Sequence, residues 1–252
     1  MKRRLTTILL VLIFIVGLGI LLYPAISNYW NSKVQSRAIV DYEAALANLT
    51  QEDYTAEFEA ARAYNEALRE VAFPMMYYAD LDAREDLRKY DDIFNVNGNG
   101  IMGYISIDKI GVQLPIYHGV SDAVLNVAAG HIPGTSLPSG GESTHCVLSA
   151  HRGLPSAKLF TDLDEIVEGD TFTLTVLDEV LTYQVDQVLI VEPNEVDSLY
   201  VTEGEDYCSL VTCTPYGINT HRLIVRGHRI ETLAGFDGEG DIIEGDGLGI
   251  FI

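Results

Sequence analysis

The chain has 252 residues, with 37 acidic against 16 basic side chains and a formal net charge of −21. That balance argues against nucleic-acid binding, which needs basic patches, and favours a soluble, exported surface or a cationic partner. The length suits one domain plus appendages, and a hydrophobic content of 48% is enough for a real core.

The N-terminus reads as a targeting element. Lys2, Arg3 and Arg4 precede an uncharged run from Leu5 to Tyr23, near the ~20 residues that span a bilayer as a helix. A cleaved signal peptide is the alternative, but no pair of small residues at cleavage spacing follows the run, which favours an uncleaved anchor. The basic cluster orients the N-terminus to the cytoplasm, so the chain after residue 23 is expected outside the cell. Tyr29 and Trp30 fit an aromatic interface belt, or are ordinary juxtamembrane residues.

Lys33 to about Val71 reads as helix. Ile39, Val40, Tyr42, Ala45, Leu46 and Leu49 recur near helical spacing. Thr50 followed by Gln51-Glu52-Asp53 resembles a second helix start, with acids in its first turn, and Phe58, Ala61, Tyr64, Ala67 and Leu68 continue that helix. The expected role is a spacer packed on the main domain; an interaction helix is the less economical reading. Ala72 to Asn99 is irregular and carries an apolar patch, Phe73-Pro74-Met75-Met76-Tyr77-Tyr78, whose default role is packing. Asn97-Gly98-Asn99-Gly100 is a strong turn signal and marks a domain boundary.

From Ile101 onward short strands alternate with turns: Met102–Ile107, Gln113–Tyr117, Cys146–Ser149, Thr171–Val176, Leu181–Val191, Tyr207–Cys213 and Arg222–Arg229. This spacing predicts an all-β barrel or sandwich. His151 to Asp164 breaks the pattern and is expected to hold a short helix. Glu231 to Ile252 is acidic and glycine-rich without a basic residue, and is expected to be disordered.

Two stretches carry chemistry. In Tyr207–Ile230 a period-2 run ends at Cys213, turn residues Pro215, Gly217 and Asn219 follow, and a second run opens at Arg222. Such a hairpin sets a thiol at a strand end opposite a guanidinium, which stays charged and donates in a rigid fork. A lone cysteine on a strand is more often a small buried hydrophobe. The second stretch, Val147 to Gly153, is another apolar run, and it ends at His151. A thiol needs such a base or imidazolium partner to act as a nucleophile. His118, His131, His145, His221 and His228 are expected to be scaffold, with His131 in a turn as a structural hydrogen-bonder. His145, Cys146 and His151 could suggest zinc, but no further ligands stand at metal spacing, so no metal and no cofactor is expected.

Three motifs resemble one family. T-C-T-P-Y-G-I-N-T-H-R-L at Thr212–Leu223, H-I-P-G-T-S-L-P-S-G-G at His131–Gly141 and H-R-G-L-P-S-A-K-L-F-T-D-L-D at His151–Asp164 are similar to the class C sortases, the pilus-assembling cysteine transpeptidases of Gram-positive bacteria. The resemblance runs from about Gly100 to Ile230. It implies a mainly β fold, an eight-stranded sortase barrel preceded by a transmembrane helix and two further helices. The expected domains are a cytoplasmic tip at 1–4, the anchor at 5–23, an extracellular helical and irregular spacer at 24–99, the catalytic barrel at 100–231 and the tail at 232–252.

The resemblance also implies the chemistry. Cys213 would be the nucleophile, His151 the general acid/base and Arg222 the stabiliser of oxyanion and substrate. The substrates would be LPxTG-bearing pilins, cleaved between Thr and Gly and joined to a pilin lysine amine. Two other readings stand beside it: a sortase that attaches surface proteins to cell-wall peptide, and a membrane-tethered binding module whose Cys213 is inert. Cys146 and Cys208 each lie five residues before a site residue, on strands that neighbour each other in the sortase barrel; they would be side by side, either bridged or as two buried free thiols. Many members carry a lid with an Asp-Pro-aromatic tripeptide and a second, C-terminal membrane helix. The only proline between Val71 and Gly100 is Pro74, so the tripeptide is absent; Asp91-Asp92-Ile93-Phe94 lacks the proline, and no acid latch on Arg222 is expected. No second apolar run closes the chain, so a single anchor is expected.

Overall fold

A computed structural model describes residues 2–71, 75 and 78–231. Phe73, Pro74, Met76 and Tyr77 of the apolar patch, and the acidic stretch 232–252, lie outside the described residues.

The strands are β1 (Ile101–Ile107), β2 (Val112–His118), β3 (Ala129–His131), β4 (Thr144–Ser149), β5 (Thr171–Val176), β6 (Glu179–Val191), β7 (Asp206–Thr214) and β8 (His221–Ile230). They close into a barrel in the order β1-β2-β3-β4-β7-β8-β6-β5. Closure leaves no unpaired edge. Two pairings are parallel, β2 with β3 and β4 with β7; the others are antiparallel. Alternate residues of each strand point inward, and Ile105, Leu114, Leu148, Phe172, Leu174, Leu210 and Val225 fill the interior. Gly103 sits at a bulge in β1. A Cβ there would lie 2.2 Å from the Thr175 carbonyl oxygen of the neighbouring strand, so only glycine fits this approach.

Two expectations need correction. His151 to Asp164 forms no α-helix; it is a string of turns, with a single 3-10 turn at Leu163–Glu165. Gly153 at φ +77° and the following Pro155 interrupt any helical run, and side-chain bonds hold the segment instead. His131 lies in β3 rather than in a turn, and that strand is too short to show an alternating pattern. Its role is a hydrogen-bonder all the same. Nε2 lies 2.9 Å from the Ser136 carbonyl, which can only accept, so Nε2 carries the proton and Nδ1 accepts from the Tyr90 hydroxyl at 2.9 Å.

Helix α1 runs unbroken over Lys2–Leu46, through Pro24. Its apolar part is long enough to cross a membrane and is not buried against the rest of the protein. The later turns dock on the barrel: Ile39 and Tyr42 are buried, and the Tyr42 hydroxyl donates to the Met102 carbonyl at 3.1 Å and accepts the Leu177 amide at 2.8 Å. Helix α2 (Gln51–Arg69) opens with a capping box, in which the Asp53 amide donates to Thr50 Oγ1 and the Thr50 amide to Asp53 Oδ2. Its apolar stripe, Phe58, Ala61, Tyr64 and Leu68, is buried, and Asn65 Nδ2 and Oδ1 bond the Leu137 carbonyl and amide. A one-turn helix, α3 (Asp122–Leu125), joins β2 to β3.

Candidate active site

Strand polarity assembles the site. β4 and β7 are parallel, so their C-terminal ends lie at one rim of the barrel. The Ala150 amide still pairs with the Val211 carbonyl at 3.3 Å, so the chain leaving β4 delivers His151 beside the end of β7. β8 runs antiparallel to β7, so it starts at that same rim, with Arg222 directly opposite Cys213. The hairpin turn closes on the Pro215 carbonyl, which accepts the Ile218 and Asn219 amides, while Gly217 and Asn219 take positive φ. All three sequence-predicted site residues, Cys213, His151 and Arg222, therefore meet at one rim, and all three are half-buried.

A thiol, an imidazole and a guanidinium so placed can perform acyl transfer: attack, proton transfer and stabilisation of a developing oxyanion. Arg222 donates to the His221 and Asn219 carbonyls at 3.0 and 3.4 Å. Among the described residues no carboxylate pairs with it, so it retains its positive charge for an anion. The Asp91–Phe94 stretch is not a cover: Ile93 and Phe94 are buried, Phe94 against the Phe58 ring at 5.3 Å, and Asp91 and Asp92 face solvent.

Beside the three residues runs an apolar floor that sequence reading saw only as strand. Val211 and Ile224 stand opposite each other on β7 and β8, one pleat on from the Cys213–Arg222 pair and on the same face. With Val147 and Leu199 they form a second cluster, outside the barrel interior, against which Met75, Ile132, Leu189 and Val191 pack. The signal was present: both strands carry consecutive apolar residues, Cys146-Val147-Leu148 and Leu210-Val211, so each phase of the alternation has an apolar side chain to cover. A cleft of about 560 Å³ adjoins this floor at Leu199 and Met75, but neither Cys213, His151 nor Arg222 lines it.

His145 lines that cleft. Its Nδ1 lies 3.0 Å from the Tyr200 carbonyl and must donate, so Nε2 accepts the Ser209 hydroxyl at 2.8 Å. The ring thereby ties the β6–β7 connection to the sheet. Burial, the largest cause, holds its pKa down to about 4. An unfolded histidine titrates near 6.5, so this contribution is fully present above that pH and is lost as the pH falls toward 4. The ceiling is about 3 kcal/mol. Urea midpoints at pH 7.5 and 4.5 should show a pH-dependent loss that shrinks by up to that amount in His145→Gln. An unchanged loss would mean that the ring is not buried neutral.

The zinc reading has no support from placement. Val147 shares the outer floor, so the pleat puts His145 on the outer face and Cys146 inside. Cys146 is instead the register partner of Cys208 on β7. Both thiols are buried and unbridged, and burial pushes that of Cys208 well above the ordinary range. With the protein folded, a thiol reagent should therefore modify Cys213 alone. After unfolding without reductant, intact mass should count three reactive thiols. A count of one would reveal a Cys146–Cys208 bridge.

Comparison with known proteins adds to this geometry. The Sortase domain family model matches residues 105–230, half of the chain. The crystal structure of sortase C1 from Streptococcus agalactiae is 45% identical, with a TM-score of 0.71 over 78% of this chain and 99% of that one. The pilus-related sortase C of Group B Streptococcus is 40% identical, with a TM-score of 0.64 over 75% and 95%. Among curated proteins, sortase A of Streptococcus agalactiae serotype III (strain NEM316) is 30% identical over 135 residues, which cover 52% of this chain and about half, 54%, of that relative.

Proposed function

The chain belongs to the sortase family, and on that premise we propose that it is a membrane-anchored cysteine transpeptidase that polymerises pilins. Cys213 attacks the Thr–Gly carbonyl of an LPxTG-like sorting signal. Arg222 stabilises the oxyanion of the tetrahedral intermediate. His151 gives its proton to the departing glycine amine, leaving a Cys213 thioester, and then takes a proton from the incoming lysine amine that displaces the thiol. The product is an isopeptide bond between pilins. The observation that carries this reading is the register, with Cys213 opposite Arg222 on β8 and the β4 exit beside the end of β7 on its other side. The apolar floor suits the leucine and proline of such a signal.

The apolar part of α1 supports an anchor at residues 5–23, with the barrel held outside the cell. The pilin acceptor draws on the two sortase C structures, which are more similar over more of the chain than the sortase A of Streptococcus agalactiae is. Anchoring to cell-wall peptide is the second reading, favoured by that relative. Incubating the protein with a pilin that carries both an LPxTG-like signal and its acceptor lysine separates them. A ladder of covalent multimers, lost when that lysine is replaced, is expected. Transfer to a cell-wall peptide amine without a ladder would overturn the pilin reading while keeping the chemistry.

A further inference from the structure

Residues on either side of Cys213 and His151 are bonded to one another. On the strand side, the Thr212 hydroxyl donates to the Ala150 carbonyl at 2.8 Å. On the loop side, Arg152 Nη1 donates to Thr214 Oγ1 at 3.2 Å. The residue before the nucleophile thus holds the residue before the imidazole, and the residue after holds the residue after. Only the first tie continues the β4–β7 sheet; the second spans to a segment without regular structure.

Arg152 is built into its place. Its side chain is only 7% exposed. Nε donates to the Thr161 carbonyl at 3.0 Å and Nη2 pairs with Asp164 Oδ2. One planar group therefore binds three parts of the chain: the turn at Thr161, the carboxylate of Asp164 and the end of β7. The Gly153 amide donates to Thr161 Oγ1 at 3.2 Å, which fastens the same loop next to His151. Beyond Ala150 the strand ladder stops: one backbone bond, the Phe160 amide donating to the His151 carbonyl at 3.1 Å, and the bonds of this guanidinium hold the loop that carries the imidazole. A buried cation is costly unless fully bonded, and here the bonding converges on the loop that carries the acid/base group.

We propose that Arg152, through its bond to Thr214 and with Asp164 behind it, is a positioning residue that sets His151 against Cys213. This rests on the acyl-transfer reading above and adds a residue to it. Arg152 does not touch the reacting atoms. Small misplacements of a proton-transfer group cost between about ten- and a hundredfold in rate.

The test uses the full chain in detergent. Arg152→Met and Thr214→Val should each lower kcat for sorting-peptide cleavage by about ten- to a hundredfold, with KM changed less than about threefold. Thr214→Ser, which keeps the hydroxyl, should retain activity. The double variant Arg152→Met/Thr214→Val should lose little beyond either single change, because both remove the same bond. A second readout needs no substrate: the pH–rate profile of Cys213 alkylation by iodoacetamide should shift toward that of His151→Ala in both single variants. Melting temperatures measured alongside separate a stability effect, which would lower Tm and leave kcat and the profile intact. That outcome, or full activity in Thr214→Val, overturns the proposal. If Arg152→Met does not fold, the Thr214 pair decides it. Failure of the underlying reading looks different: Cys213→Ala would then still cleave the peptide, whatever Arg152 does.

Discussion

Cys213→Ala is expected to abolish peptide cleavage, ligation and the covalent acyl-enzyme together. The reasoning is that all three pass through one atom. Cys146 and Cys208 are the other thiols, and both are enclosed by the barrel, so neither can replace the lost sulfur. A general-base route with water as the attacking group would also need room and a base aimed at that water. His151 stands instead at the β4 exit, beside the strand end that carries Cys213. Cleavage should therefore fall to background in a peptide assay, and no thioester adduct should be seen by mass spectrometry. Turnover comparable to the unmodified protein would sink the proposed function entirely. The fold should hardly notice the change, since Cys213 is half-exposed at a strand end and its removal leaves no cavity in the interior.

The second large effect is expected from the two partners of that thiol. His151→Ala should lower kcat by about two to four orders of magnitude, the usual contribution of a positioned acid/base. Arg222→Ala should lower it by about two to three orders, the range for loss of an oxyanion donor. Arg222→Lys should recover only part, because an ammonium is a point charge and cannot present two parallel donors. Combining His151→Ala with Arg222→Ala should cost less than the product of the two, since both serve one transition state. Single-turnover rates would check this. The arrangement gives the reason for equal concern with both residues: they approach Cys213 from different strands, Arg222 from β8 across the hairpin and His151 from β4 across the parallel pair. Loss of either leaves the other in place. A variant at either position with full kcat would remove that residue from the proposed machinery.

The sequence alone determined the local features that short-range physics dictates. The Cys213–Arg222 hairpin was legible because a period-2 run, a Pro-Gly-Asn turn and a second run lie contiguously, and a hairpin's register follows from its turn. The helix start at Thr50 and the apolar stripe of α2 were legible for the same reason. The motifs around Cys213, His151 and His131 identified the family resemblance, and with it the barrel. The sequence did not reveal β3, which is three residues long and pairs in parallel with β2 across an intervening helix. It placed a short helix within 151–164, where the structure has turns and only a 3-10 turn at Leu163–Glu165, since the bonds that hold this segment include one from Arg152 to a residue 62 positions away. The meeting of His151 with Cys213, the opposed Cys146 and Cys208, and the apolar floor all depend on the parallel β4–β7 pairing. That pairing joins segments about sixty residues apart. Its energy comes from closing the barrel around a shared core, a term that no local window of residues contains.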